Sequence, residues 1–331
     1  MNTDPRSVDD LAVTYESQIK GKVVLITGVS PGGIGAAFAI GIASSKPALL
    51  ILAGRNLTKV QQTALAITTK YSDVKVRNLE LDLSSLAAVR TAAETLNQWA
   101  DVSHIDVVVN NAGVMATDWA LSPDGFESQL ATNHLGHFLF TNLIMGKILK
   151  AAAPRVINIS SDGHRLSPFR FEDYNFRDGK IYNKWLGYGQ SKTANMLMTI
   201  SLAEKLGAKH KLSAFSINPG VITTNLDGHL KLYGESEADL EALLEIDCIM
   251  GNAFGWLGLD ISMVKPPEVG ANTYVYAAFD PEVTAHNGAY LQNCRVSDPW
   301  TDTVRPWATS SFEAERLWLL SEKLVGQKFS Y

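Results

Sequence analysis

Apolar residues recur along this chain in two rhythms. Short runs rich in Val and Ile read as strands: Val23 to Thr27, Leu49 to Ala53, Val74 to Leu81, Val107 to Asn110, Arg155 to Ser160, Leu212 to Ile217 and Ala289 to Leu291. Most are apolar at successive positions, the pattern of parallel strands covered on both faces. Between them the apolar positions return every three or four residues, which predicts helices over Ile34–Ser44, Leu57–Thr69, Ser85–Ala100, Phe126–Lys150, Gly187–Leu206 and Pro267–Ala278. Alternating strands and helices predict a doubly wound α/β fold, whose ligands bind beyond the carboxyl ends of the strands.

No internal repeat or low-complexity linker divides the chain, so a single domain over residues 21–331 is expected. Residues 1–20 read as an exposed leader with a short helix around Val8 to Ile19, and 227–267 as an insertion or lid on the substrate side. The 331 residues are 46% hydrophobic and 19% charged, enough apolar material for a sizeable core. A net charge of −5 without a basic run argues against a nucleic-acid partner and for a small molecule. Cys248 and Cys294 form no Cys-x-x-Cys pair, and the start is polar and acidic rather than leader-like, so a cytoplasmic protein is expected. Lys46 and Pro47 split the most membrane-like run, Ala36 to Gly54, into pieces too short to span ~30 Å of hydrocarbon.

The first strand runs into Thr27-Gly28-Val29-Ser30-Pro31-Gly32-Gly33-Ile34-Gly35, a glycine-rich turn opening a helix. Such a turn brings backbone N–H groups to an anion at the helix's positive end. The same letters contain Gly-x-Ser-x-Gly, the pattern of a hydrolase nucleophile elbow. An elbow needs an N–H on the residue after its serine; here that residue is Pro31, which has none. Phosphate binding is therefore the preferred reading. At the tip of the second strand, Gly54-Arg55-Asn56 offers no acid for a ribose, while Arg55 suits a 2′-phosphate, so NADP(H) is expected over NAD(H). Asp82-Leu83 follows the third strand, where Asp82 is either a ligand contact or a helix cap. Asn110-Asn111-Ala112-Gly113 ends the fourth, where small residues let a flat cofactor lie against the strand ends.

A tyrosine acts as a general acid or base near neutral pH only with a cation close by. Tyr-x-x-x-Lys occurs twice. Tyr71 and Lys75 run into a strand, which separates them; Tyr188 and Lys192 share one face of a predicted helix. Ser160 and Ser161 end the fifth strand, pointing to opposite faces, and the residues alone do not choose between them. Asn133 lies in the helix after the fourth strand as a buried amide or a binder of a carbonyl or water. His134 and His137 beside it lack the convergent carboxylate or Cys of a metal site, so no metal is expected. Trp119, Tyr182, Trp185, Phe254 and Trp256 fall in segments expected to border the substrate, which suggests an apolar or aromatic carbonyl compound.

Taken in order, the glycine turn, Asn-Asn-Ala-Gly, Asn133, Ser161, Tyr188-x-x-x-Lys192 and Pro219-Gly220-Val221-Ile222-Thr223-Thr224 resemble the short-chain dehydrogenase/reductase family from Lys22 to near the end. The tail from Gly288 resembles the family's retinol-dehydrogenase-like branch and its fungal carbonyl-reducing relatives. The resemblance implies one Rossmann-type domain with a mostly parallel seven-stranded sheet flanked by helices, and an oxidoreductase passing hydride between NADP(H) and a carbonyl or alcohol. It selects Ser161 as donor to the substrate oxygen, Tyr188 as acid/base and Lys192 as the cation that lowers the Tyr188 pKa and meets the nicotinamide ribose. Asn133 would hold a water that relays protons to Lys192. Gly28, Gly33 and Gly35 match the family glycines, and Ser30, Ile34, Arg55, Asp82, Leu83, Asn110, Ala112, Gly113, Pro219, Gly220, Val221, Ile222 and Thr224 complete the cofactor set. The turn is one residue longer than the family spacing, leaving Ser30-Pro31-Gly32 as a bulge. Homodimers or tetramers through Phe126–Lys150 and Gly187–Leu206 are implied, with a long tail able to block that face. The other class of function is a non-catalytic NADP(H)-binding sensor or scaffold, against which the intact Ser161, Tyr188 and Lys192 weigh.

Overall fold

A computed structural model describes residues 6–226, 228–232, 237–252 and 264–331. Eight strands form one sheet: β1 (Val23–Thr27), β2 (Leu49–Gly54), β3 (Val76–Glu80), β4 (Val107–Asn110), β5 (Arg155–Ile159), β6 (Ser213–Asn218), β7 (Tyr290–Gln292) and β8 (Arg295–Val296). Their order is β3-β2-β1-β4-β5-β6-β7-β8, parallel throughout except for β8. The expectation of seven strands is thus corrected to eight. β8 is two residues long, returning through Asn293 and Cys294, both at positive φ, so it has no apolar run to betray it.

Period-two alternation divides the core between the sheet's two faces. Val23 and Leu25 of β1 belong to one cluster with Leu139, Leu202 and Trp318; Val24 and Ile26 belong to the other with Phe38, Tyr274 and Phe279. Both faces are covered by helices, and in such a layered sheet ligands bind at the carboxyl ends of the strands.

Several elements depart from the sequence pattern for local reasons. The helix predicted over Phe126–Lys150 is segmented into Ser128–Leu130, a π-helical turn at Ala131–Leu135, Gly136–Leu143 and Met145–Ile148. The helix carrying Tyr188 runs Lys184–His210, because the Asn183 side chain accepts from the Trp185 and Leu186 N–H groups and starts it earlier. Among the described residues, the N-terminal stretch 6–20 is packed on the domain rather than an exposed leader. Val8, Leu11, Ala12, Tyr15 and Ile19 are buried, and the Tyr15 hydroxyl donates to Asp280 at 2.7 Å.

The face of the two long helices through which a second copy was expected to dock is covered by the chain's own C-terminal helix, Ser311–Val325. Ser201 Oγ donates to the Ala314 carbonyl, His134 Nε2 meets Ser321 Oγ at 2.8 Å, and Trp318 lies edge-on to Phe138 at 4.9 Å. Among the described residues no helix is long and apolar enough to cross a membrane.

Candidate active site

A cleft of about 760 Å³ lies at the carboxyl ends of β1, β4, β5 and β6. One end is built by the glycine turn. Ser30-Pro31-Gly32-Gly33 closes with the Gly33 N–H donating to the Ser30 carbonyl at 3.0 Å, with Gly32 at φ 75°; Pro followed by Gly is the signature of a type II turn. The extra residue is thereby absorbed without disturbing the helix start. Gly28 sits at φ 72°, and a Cβ there would fall 2.6 Å from the Ala112 Cα, so only glycine lets β1 and the loop after β4 approach. The helix Ile34–Ala43 begins with no side-chain cap, leaving the N–H groups of Ile34, Gly35 and Ala36 without helical partners beside the cleft.

The loop after β4 is pinned by a buried network. Thr27 Oγ1 accepts from the Asn111 and Ala112 N–H groups, both at 2.9 Å, and meets His137 Nε2 at 2.9 Å. His137 Nδ1 reaches the Asn133 carbonyl at 3.1 Å. A carbonyl only accepts, so Nδ1 carries the proton and Nε2 accepts from Thr27. The Asn111 amide donates to the Thr27 and Gly28 carbonyls and accepts from Tyr274 Oη at 2.8 Å. His137 thus spends both nitrogens on the fold, whereas His134 meets Ser321 through Nε2 and its buried Nδ1 has no hydrogen-bond partner among the described residues.

Ser161, Tyr188 and Lys192 all line the cleft. The geometry separates the two serines. Ser160 Oγ is turned into the helix, donating to the Lys192 carbonyl at 2.9 Å, whereas Ser161 Oγ accepts from the Gly163 N–H at 3.0 Å and sits by the Tyr188 phenol. Gly163 makes this approach sterically feasible: a Cβ there would lie 2.6 Å from Tyr188 Cε1. Lys192 Nζ donates to the Ile159 carbonyl at 3.0 Å and stands 5.5 Å from the centre of the Tyr188 ring. Burial pushes the Tyr188 pKa up to about 12, with the Ser161 hydroxyl pulling the other way. Burial outweighs any lowering by a cation here, and the Lys192 ammonium is held on a backbone carbonyl rather than on the phenol oxygen. Burial also lowers Lys192 to about 8.

Asn133, in the π-helical turn, donates from its amide to the Val114 carbonyl and Ser191 Oγ, both at 2.9 Å, and accepts from the Val114 N–H at 2.8 Å. Both amide hydrogens are used, so the Asn133 oxygens are what remains to accept from a relay water. The side chain also fixes Val114 on the cleft wall.

The remaining sequence-predicted residues divide. Gly28, Ser30, Gly33, Ile34, Ala112, Gly113, Pro219, Gly220, Val221, Ile222 and Thr224 line the cleft. Arg55 stands exposed past β2, Asp82 accepts from Ser84, Leu83 is buried, and Asn110 faces inward to Thr141 and Asn158. Of the aromatics, Trp185 lines the cleft; Trp119 and Tyr182 pack against each other away from it, and Phe254 and Trp256 lie outside the described residues.

The wall opposite the glycine turn is apolar: Met115, Leu166, Trp185, Leu232, Leu240, Leu243 and Val264. Leu240 and Leu243 come from the helix Ala238–Ile249, which Asp239 ties to Lys184 at 2.7 Å and Asp247 to Arg165 at 3.4 Å. Sequence reasoning missed Gly163, Tyr274 and His164, and nothing in their local pattern marks them.

Comparison with known proteins gives a consistent picture. Residues 22–175 match the short chain dehydrogenase family. Retinol dehydrogenase 12 of Bos taurus is 34% identical over 311 residues, covering 93% of this chain and 88% of that one. The short-chain dehydrogenase/reductase prx1 of Penicillium rubens is 35% identical over 322 residues, covering 93% and 86%. Among solved structures, an uncharacterised protein from Mycobacterium paratuberculosis superposes with a TM-score of 0.67 at 29% identity, over 95% of this chain and 97% of that one. A chain from Escherichia coli CFT073 solved with NADPH gives 0.59 at 21% identity, over 84% and 98%.

Proposed function

Since the chain belongs to the short-chain dehydrogenase/reductase family, we propose that it is an NADP(H)-dependent oxidoreductase acting on an apolar aldehyde or ketone and the corresponding alcohol. The observation that carries this reading is the meeting of Ser161, Tyr188 and Lys192 on one wall of a cleft whose far side is apolar.

The residues present fit the cofactor. The uncapped N–H groups of Ile34, Gly35 and Ala36 and the glycine turn with Gly28, Ser30 and Gly33 would hold its phosphates, joined by Thr224. Asp82 and Leu83 would meet the adenine, Asn110, Ala112 and Gly113 would back the ring system, Lys192 the ribose, and Pro219, Gly220, Val221 and Ile222 the nicotinamide. Arg55 would pair with the 2′-phosphate; a chain of the same fold from Escherichia coli CFT073 was solved with NADPH. When bound, the cofactor supplies the hydride.

The chain's own residues handle the proton. With its pKa raised by burial to about 12, Tyr188 carries its proton at neutral pH, and it is this proton that passes to the carbonyl oxygen. Ser161 donates to the same oxygen as negative charge develops there. Lys192, a cation below its pKa of about 8, stabilises the tyrosinate left behind. The helix Ala238–Ile249 acts as the substrate-side wall of the 227–267 insertion, excluding water with Leu240 and Leu243.

The reading is tested by mixing the protein with NADPH and a panel of apolar aldehydes and ketones. Consumption of NADPH is expected; NADPH binding without consumption for any member would favour the sensor reading instead. A second expected result concerns Arg55→Ala, which should weaken NADPH binding by about ten-fold, roughly the 1.4 kcal/mol of a partly exposed charge-assisted contact, and leave NADH affinity unchanged. Equal affinities for the two cofactors in both proteins would remove the basis for the NADP assignment.

A further inference from the structure

The turn that follows Ser161, Asp162–Leu166, is held by a residue that the mechanism above does not use. His164 is fully buried, and its ring Nδ1 lies 2.8 Å from the Ser161 carbonyl, which also receives the His164 backbone N–H at 3.0 Å. Its Nε2 lies 3.3 Å from the backbone N–H of Arg305. A carbonyl accepts and an N–H donates, so the ring has one permissible form: neutral, with the proton on Nδ1.

The same residue ties two distant parts of the chain together. The His164 carbonyl accepts from Thr193 Oγ1 at 3.0 Å and from Trp307 Nε1 at 3.1 Å. Thr193 follows Lys192 on the long helix, and Trp307 belongs to the C-terminal segment. Arg305 is itself anchored, its guanidinium donating to the Met250 carbonyl at 2.7 Å and to the Asn252 side chain.

We propose that His164 is a positioning residue for Ser161, and that the C-terminal residues 305–307 act on the active site through it. The ring bond fixes the Ser161 peptide, while the Gly163 N–H occupies one lone pair of Ser161 Oγ. With both constraints in place, the hydroxyl hydrogen is left to point at the substrate oxygen. This inference rests on the reading of Ser161 as the donor to that oxygen.

Three variants test it. An asparagine amide places an N–H where Nδ1 stood, and a glutamine amide reaches only the Nε2 position. His164→Asn should keep kcat within a few-fold, whereas His164→Gln should lose about ten-fold or more, the scale of a misplaced group, at unchanged NADPH affinity. Equal kcat for the two overturns the proposal, and so does a loss in both that follows thermal stability. Ser161→Ala is the control. If it leaves kcat unchanged, the reading of Ser161 fails; if it lowers kcat while His164→Gln does not, only the role of His164 fails.

Discussion

Replacing Tyr188 by Phe lowers carbonyl reduction by about 10²- to 10⁴-fold, the range a positioned general acid contributes, while NADPH still binds. The substitution removes only the hydroxyl. The ring keeps its place against Gly163, and Lys192 Nζ stays on the Ile159 carbonyl, so neither the fold nor the cofactor wall has reason to change. Ser161 remains as a donor to the substrate oxygen, which is why some activity survives. Titration of NADPH binding beside single-turnover reduction separates the two effects; reduction at the parent rate with NADPH bound would remove Tyr188 from its role. The pH profile of the parent enzyme carries the same logic. Lys192 titrates near 8 and Tyr188 near 12, so the rate should first decline as Lys192 loses its proton, well before the tyrosine does.

What the sequence made legible follows from how local each signal is. The strands β1, β2 and β4 are runs of apolar residues that need no context, and Tyr188 and Lys192 meet because a helix brings positions four apart together. β8 was illegible because two residues carry no period. The π-helical turn at Asn133 was illegible for a different reason: tertiary packing, with the amide drawn to Val114 and Ser191, overrides the regular helical pattern. Most of the missed site residues act across long separations. Tyr274 reaches Asn111 and His164 receives Arg305, contacts between segments more than a hundred residues apart. The Lys192 cation was placed correctly on its helix face, but the partner of its ammonium, the Ile159 carbonyl, depends on how the sheet and helix pack. Electrostatics inherit that dependence: burial, the largest cause, raises the Tyr188 pKa, and no local pattern reports how deeply the phenol is buried.

Stability should fall steeply as the pH drops from about 6.5 towards 4, the window set by three buried histidines. Burial lowers His134 to about 3 and His137 and His164 to about 4, since none has a carboxylate to support a charged ring. In the unfolded chain the same imidazoles titrate near 6.5. Within the window the unfolded state therefore holds up to three protons that the folded state refuses, and stability is lost as pH falls. Two groups oppose this. Asp162 and Glu127 have carboxyl pKa values raised by burial, so the folded chain takes up their protons more readily than the unfolded one. The net difference is one to three protons, or about 1.4 to 4 kcal/mol per pH unit at its steepest. Two of the protonations also break a specific bond: a charged His164 would aim a new N–H at that of Arg305, and a charged His137 would aim one at Thr27, whose oxygen already serves the Asn111 and Ala112 N–H groups. The active-site loops are thus the parts that lose their anchors first. Urea unfolding at pH 7, 5.5 and 4.5 measures the slope, and a stability that stays flat across those values would mean that the three rings are not held neutral.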